Sequence, residues 1–181
     1  MARLTFGRFD PRDKSGTAAI EFALIAPVFL TLMFAVFEIG IGFLADMILA
    51  NGVAEGARLI RTGQAQSSNM SSSQFRTVIC DKIKFMLSCD PTKLLIDVRS
   101  FANFGGASYP QALDSSGNLN AGLNSFQTGG SSQASGSNAI VLVRVFYTWK
   151  MMTPLLGQYF SNMKDNTRLL SYSVAFRNEP Y

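Results

Sequence analysis

The feature that most constrains this chain is an uninterrupted apolar stretch near its N-terminus. Phe22–Phe37 contains no charged residue, and the wider span Thr17–Ala45 contains only two, Glu21 and Glu38. A helix needs about 20 mainly apolar residues to cross the hydrocarbon core of a bilayer, and this span meets that requirement. The stretch therefore predicts a transmembrane helix.

A cleaved signal peptide is the competing interpretation, but its apolar core typically has about 7–15 residues and precedes a small-x-small cleavage site. Here apolar residues keep helical spacing as far as Thr62, and Gly63 has the position of a C-cap. A helix over 17–62 is about 69 Å long at about 1.5 Å per residue, so it extends beyond the bilayer. Pro27 lies within it, where membrane helices tolerate proline.

The distribution of basic residues predicts the orientation of this helix. Four Lys or Arg residues precede the apolar stretch, whereas two, Arg58 and Arg61, follow it closely. Basic residues are enriched on the cytoplasmic side of membrane helices. We therefore expect a single-pass protein with a cytoplasmic N-terminus and an exported C-terminal domain.

Composition argues against most catalytic and metal chemistry. Histidine, the commonest general base and metal ligand, is absent from the 181 residues. The sequence contains no Walker A loop, GxSxG elbow or HExxH helix. The net charge of +4 is not gathered into basic blocks interleaved with aromatic residues, so nucleic-acid binding is not expected. We predict a protein that is not an enzyme and uses no metal or cofactor.

The remaining chain, 63–181, predicts a small exported α+β domain. Gln74–Leu87 has the spacing of an amphipathic helix, and Pro154 with the two leucines after it predicts a short helix or turn. Three stretches have the composition of strands: Leu94–Phe101, Ile140–Trp149 and Leu169–Phe176. The expected fold is a long transmembrane helix followed by an antiparallel sheet of about three or four strands and one or two packed helices.

Two parts of this domain carry no clear chemistry in the sequence. The stretch 102–138 is rich in Gly, Ser and Asn, which is typical of a mobile loop. It either displays a surface feature or is a disordered insertion without a function of its own. Asp81, Asp97 and Arg99 could lie near each other in the folded domain, but the simpler expectation is that they are solvated surface charges.

The two cysteines favour a disulfide. Cys80 and Cys89 would lie about 13.5 Å apart along an unbroken helix, whereas a disulfide needs Cα atoms within about 7 Å. A bond therefore requires the helix to end before Cys89, and Asp90-Pro91 offers that break. Two buried free thiols are the alternative.

A short motif precedes the apolar stretch: Gly16-Thr-Ala-Ala-Ile-Glu-Phe22. A carboxylate such as Glu21 costs about 2.5–3.5 kcal/mol at the centre of a bilayer, and less near the interface. Glu21 therefore either reaches interfacial water or has a cationic partner. Gly16 by itself is also compatible with a flexible joint before the helix.

This motif resembles the processing site of type IV pilin-like proteins, which are cut after the glycine and carry glutamate as the fifth mature residue. More narrowly, Gly16–Gly63 is similar to the TadE-like pseudopilins of the tight-adherence (Tad, Flp) pilus system. The similarity lies in Thr17–Pro27 and in Ala54–Arg58. The end of the chain, Ser173–Tyr181, resembles the family's last strand with its Arg-x-Glu-Pro ending.

The resemblance implies cleavage between Gly16 and Thr17, which makes residues 1–16 a cytoplasmic leader. The new α-amine would carry close to one positive charge near neutral pH and would be a partner for Glu21. Glu21 and the adjoining Phe22 are then the expected assembly residues. In pilin-like assemblies, pairing between the amine and the glutamate of neighbouring subunits is thought to set their register.

A second expected association surface is a group of helix-packing residues. Gly52 and Gly56 have the small-x-x-x-small spacing that allows close approach of helices, and Pro27 and Arg58 are grouped with them. These glycines would contact either a sibling pseudopilin or the chain's own exported domain, and the sequence leaves both alternatives open.

The resemblance thus implies a minor pseudopilin or pilus-assembly protein that acts by subunit association. Implied partners are the prepilin peptidase, sibling pseudopilins, the major pilin, the inner-membrane platform and the lipid bilayer. The chain would be anchored in the inner membrane, with its domain in the periplasm or incorporated in the pilus. The alternative is a membrane-tethered periplasmic binding module unrelated to pili, whose leader is never cut.

Overall fold

A computed structural model describes residues 16–128 and 139–180. The chain divides into two compact units, 1–37 and 38–181. The first helix, α1, runs from Thr17 to Arg61 and so contributes to both units. The predicted leader is 1–16, and all of it except Gly16 lies outside the described residues.

The first unit, in its described part, is the apolar portion of α1. Its large side chains are exposed, from Ile20 at 63% to Phe37 at 59%. Within 16–128 and 139–180, α1 is the one helix long and apolar enough to cross a membrane. Pro27 lies inside this helix, and the Thr31 hydroxyl donates to the Pro27 carbonyl at 2.7 Å. The described part of the chain therefore contains one N-terminal membrane anchor followed by a C-terminal domain.

The second unit adds three short helices and three strands to the C-terminal part of α1. The elements in chain order are α2 (Gln64–Ser67), α3 (Ser72–Ile83), β1 (Leu94–Phe101), a 3₁₀ turn (Phe104–Gly106), β2 (Ile140–Lys150), α4 (Pro154–Phe160) and β3 (Thr167–Arg177). The strands form one antiparallel sheet in the order β1-β2-β3, with Val143 opposite both Val98 and Val174. The predicted α+β layout is confirmed.

Both faces of the sheet carry buried side chains, because residues along a strand point alternately to opposite sides. The main core includes Ile96 and Val145 from one face of the sheet together with Leu49 and Ile60 of α1 and Ile79 of α3. A smaller apolar cluster combines strand residues of the other face with the segment between β1 and β2. Its buried members are Leu123, Phe146 and Leu169.

Helix α3 begins earlier and ends earlier than the amphipathic pattern predicts. Ser71 caps its N-terminus by accepting from the Gln74 backbone N–H, while the Gln74 side chain accepts from the Ser71 N–H. The helix ends at Ile83, and Cys80 and Cys89 are joined by a disulfide with their Cα atoms 5.7 Å apart. This ending brings the two cysteines within bonding distance, so the favoured interpretation of the pair is confirmed.

The segment between β1 and β2 has more defined contacts than its composition predicts. The Val98 N–H donates to the Ser125 carbonyl at 2.8 Å, and the Gln127 N–H donates to the Val98 carbonyl at 2.9 Å. The Phe126 ring lies 5.3 Å from the Phe75 ring of α3. Residues 125–127 thus lie along the outer edge of β1. Residues 129–138 of the predicted mobile loop lie outside the described residues, and mobility of the stretch stays a prediction.

Candidate functional site

The predicted processing site lies at the start of α1. The Ile20 N–H donates to the Gly16 carbonyl at 3.2 Å, so Gly16 is joined to the first turn of the helix. A Cβ atom on Gly16 would meet no atom of the described residues within 4 Å. Thr17, Glu21 and Phe22 are exposed, and Phe22 is 72% accessible. On its C-terminal side the predicted scissile bond therefore has exposed side chains, and its carbonyl belongs to the first turn of α1.

The helix fixes how Glu21 relates to a new N-terminus at Thr17. Residues four apart lie on the same face of a helix, separated by about 6 Å along its axis. Side chains also tilt toward the helix N-terminus, which directs the Glu21 carboxylate back toward Thr17. Among the described residues, no cation forms a salt bridge with Glu21. An α-amine at Thr17 would supply one.

The predicted helix-packing residues have separate roles. A Cβ atom on Gly52 would lie 2.7 Å from Cγ2 of Ile83, and one on Gly56 would lie 2.9 Å from the Phe75 ring. Both glycines are buried against α3 of the same domain, which is the second alternative that the sequence left open. Arg58 is instead exposed and pairs with Glu55 at 2.9 Å, and Pro27 is exposed in the first unit.

A buried carboxylate that sequence analysis did not single out lies where the second unit begins. Glu38 is 5% exposed, and its two oxygens accept from the Met152 N–H at 2.7 Å and the Thr153 N–H at 2.8 Å. These contacts attach α1 to the segment after β2. The one available signal was the position of Glu38 directly after the charge-free stretch.

We expect a Glu38→Ala variant to lose about 1–3 kcal/mol in free energy of unfolding, because two backbone donors lose a charged acceptor. Urea unfolding of the full chain in detergent micelles measures this. A matched control is Glu55→Ala on the same helix, where an exposed pair with Arg58 contributes about 0–1 kcal/mol. Equal losses in the two variants would show that Glu38 makes no special contribution.

The expectation of a solvated surface charge is wrong for Asp97, and Arg99 is partly exposed, at 24%. Asp97 has no exposed surface, and its carboxylate accepts from the Nε atoms of Arg144 at 3.1 Å and Arg99 at 3.0 Å. The Ser125 N–H is a further donor, at 3.1 Å. Asp97 and Arg144 are buried because they face each other on neighbouring strands beneath the segment between β1 and β2. Asp81 is exposed and pairs with Lys84 at 2.9 Å.

The two arginines extend this cluster to the covering segment. Arg144 Nη1 donates to the Pro110 carbonyl at 2.8 Å, and Arg99 Nη2 donates to the Gly122 carbonyl at 2.7 Å. The Arg144 guanidinium also lies 4.7 Å from the centre of the Tyr109 ring. The cluster therefore ties residues 109–125 to the sheet. Its carboxylate is saturated with donors, which suits a structural role.

Comparison with known proteins gives one match. A family model described as TadE-like protein matches residues 16–58. The match begins at the predicted processing glycine and contains Glu21, Gly52, Gly56 and Arg58. No curated protein and no solved structure matches the chain.

Proposed function

Because this chain is a TadE-like protein of the Tad pilus system, by the match over residues 16–58, we propose that it is a minor pseudopilin or pilus-assembly subunit. In this proposal a prepilin peptidase cuts between Gly16 and Thr17 at the cytoplasmic face of the inner membrane. The mature chain then acts by associating with other subunits and not by catalysis. Its domain, 38–181, is in the periplasm.

The observation that carries this proposal is the placement of Glu21 on an exposed apolar helix, four residues after the predicted mature N-terminus. A carboxylate in this position is unfavourable in lipid unless it has a partner. The α-amine created at Thr17 has the opposite charge, and attraction between such charges strengthens as the surrounding dielectric falls. Pairing within one chain or between neighbouring chains would therefore favour a defined register of packed helices.

The exposed part of α1 is the surface proposed for this association. Gly52 and Gly56 already contact α3, so close helix packing through them is used within the domain. The large apolar side chains before Glu38 have no such partner among the described residues. We propose that they contact lipid, sibling pseudopilins and the major pilin in turn, and that the inner-membrane platform receives the assembled helices.

N-terminal mass spectrometry of the chain, purified from cells with and without the prepilin peptidase, tests the cleavage step. We expect Thr17 as the first residue when the peptidase is present, and the intact leader when it is absent. A Gly16→Val variant should keep the leader in both strains, because a β-branched side chain obstructs approach to the scissile bond.

The matched control is Gly40→Ala, which alters a glycine of the same helix with open space around it. This variant should be cleaved like the unmodified chain. An intact leader in cells that hold the peptidase and make pili would contradict the proposal. That result would favour a membrane-tethered periplasmic binding module.

A further inference from the structure

One end of the sheet contains a cavity of about 400 Å³ that the proposed function does not use. It lies where β2 ends and β1 and β3 begin, and its lining includes Lys93, Trp149, Lys150, Met152 and Thr167. The backbone joins these strands closely, since the Thr148 N–H donates to the Lys93 carbonyl at 3.0 Å. The two lysines therefore lie on neighbouring strands at the same end of the sheet.

The lining has the chemistry of a site for a phosphate group. Lys93 and Lys150 supply two ammonium groups, and Thr148 supplies a hydroxyl group. The Thr167 hydroxyl donates to the Asp165 carbonyl at 3.4 Å. The lining contributed by the described residues contains no carboxylate. Trp149 adds an amphipathic ring of the kind enriched where membranes meet water.

The nearest acidic side chain on this strand connection has its own partners. Asp90 accepts from the Thr92 backbone N–H and from the Thr92 hydroxyl, both at 2.8 Å. These hydrogen bonds, with the positive charge of Lys93, hold the pKa of Asp90 below its usual value. Asp90 is therefore ionised near neutral pH, and its hydrogen bonds go to Thr92 and not to the Lys93 ammonium.

The position of the cavity points to the membrane surface as the source of that ligand. Met152, which lines the cavity, donates its backbone N–H to Glu38. Glu38 directly follows the charge-free stretch Phe22–Phe37 of the membrane anchor. Met152 is 60% exposed, and Tyr159 at the end of α4 is 75% exposed. Helix α4, which contains Tyr159, begins two residues after Met152. Tyrosine is enriched in the interfacial layer of a bilayer.

We propose that this cavity binds the phosphate headgroup of an anionic phospholipid. The lipid belongs to the leaflet on the exported side of the membrane. Lys93 and Lys150 contact the phosphate, and Met152 and Tyr159 contact the adjoining interfacial layer. The bound lipid would hold the sheet end against the membrane. The proposal requires that α1 is a membrane anchor with the domain on its exported side, and it is independent of any role in pilus assembly.

The test uses the full chain in nanodiscs of phosphatidylcholine, with and without phosphatidylglycerol. Native mass spectrometry measures which lipid stays bound on release from the disc, and Trp149, the chain's one tryptophan, reports binding by fluorescence. We expect phosphatidylglycerol to be retained preferentially. A Lys93→Gln/Lys150→Gln double variant should lose about 30-fold in apparent affinity, or about fivefold for each lysine near an anionic surface.

The matched control is Arg58→Gln/Arg177→Gln, which removes two positive charges at the opposite end of the domain. Arg177 is paired with Ile140, whereas Lys150 is paired with Thr167, so the two sites lie at opposite ends of the same strand pair. Preserved lipid retention in this control supports a specific site. An equal loss of lipid retention in both double variants would show that binding depends on net charge alone, and it would overturn the proposal.

Inorganic phosphate distinguishes a lipid from a soluble anion. If it changes Trp149 fluorescence as strongly as phosphatidylglycerol does at equal concentration, the ligand is a free anion and the proposal is wrong. Unchanged Trp149 fluorescence in the unmodified chain on addition of phosphatidylglycerol would also overturn it. This second measurement needs no variant and so does not depend on the folding of one.

Discussion

An Asp97→Ala variant is expected to lose about 3–5 kcal/mol in free energy of unfolding. Asp97 has no exposed surface and lies between the guanidinium groups of Arg99 and Arg144. Its removal leaves Arg144, which is 5% exposed, without a counter-ion inside the domain. Urea unfolding of the full chain in detergent micelles, with the Cys80–Cys89 disulfide intact, measures the loss.

Asp81→Ala is the matched control for this variant. Asp81 is exposed and forms one ion pair, with Lys84 directly after α3, so its replacement should cost less than about 1 kcal/mol. A further comparison is the Arg144→Met/Asp97→Leu double variant, which removes both charges and should recover part of the stability. A loss for Asp97→Ala no larger than that for Asp81→Ala would contradict the structural role of the cluster.

A Glu21→Ala variant is expected to insert in the membrane and to fold, but to abolish the chain's contribution to pilus assembly. Insertion should be retained because removal of a carboxylate from an apolar helix lowers the cost of transfer into lipid. Assembly should be lost because the α-amine at Thr17 then has no opposite charge to set its register. Membrane fractionation measures insertion, and electron microscopy of surface pili measures assembly.

The control for Glu21 is Glu55→Ala, which removes a glutamate of α1 that lies outside the charge-free stretch. This variant should leave piliation unchanged, because Glu55 pairs locally with Arg58 on the domain surface. Glu21→Asp is informative as well, since it keeps the charge but shortens its reach and should restore assembly in part. Normal piliation by Glu21→Ala would count heavily against the pseudopilin proposal.

The elements of this fold that have strong periodicity could be predicted from sequence alone. Leu94–Phe101 was placed as a strand with the bounds that the structure has, and β2 and β3 differ from their predictions by one or two residues. Helix α1 ends at Arg61, one residue before its predicted end. Local apolar spacing decides these elements, because each buries one face against the same core.

The buried polar contacts could not be predicted, because their partners are distant in the sequence. Asp97 meets Arg144 only through the register of β1 with β2, which single-sequence patterns do not specify. Glu38 accepts from backbone N–H groups 114 and 115 residues away, and backbone donors leave no side-chain signal. The spacing of Gly52 and Gly56 likewise predicted close helix packing, but it did not identify α3 as the element that they pack against. The roles of Gly16 and Glu21 in processing and assembly stay predictions.

The hydrogen bonds between Val98 and residues 125–127 limit how copies of this chain can join. Those contacts occupy the outward backbone groups in the middle of β1, so a foreign strand cannot align along its full length. The outer edge of β3 is bonded at its start, where the Leu169 N–H donates to Asn162 Oδ1 at 2.7 Å and the Thr167 carbonyl accepts from the Met163 N–H at 3.1 Å. Two copies could meet β3 to β3 across a twofold axis, but an endless intermolecular ladder needs two open edges per subunit. A fibre that contains this chain would therefore not be held together by a continuous intermolecular β-ladder through its sheet.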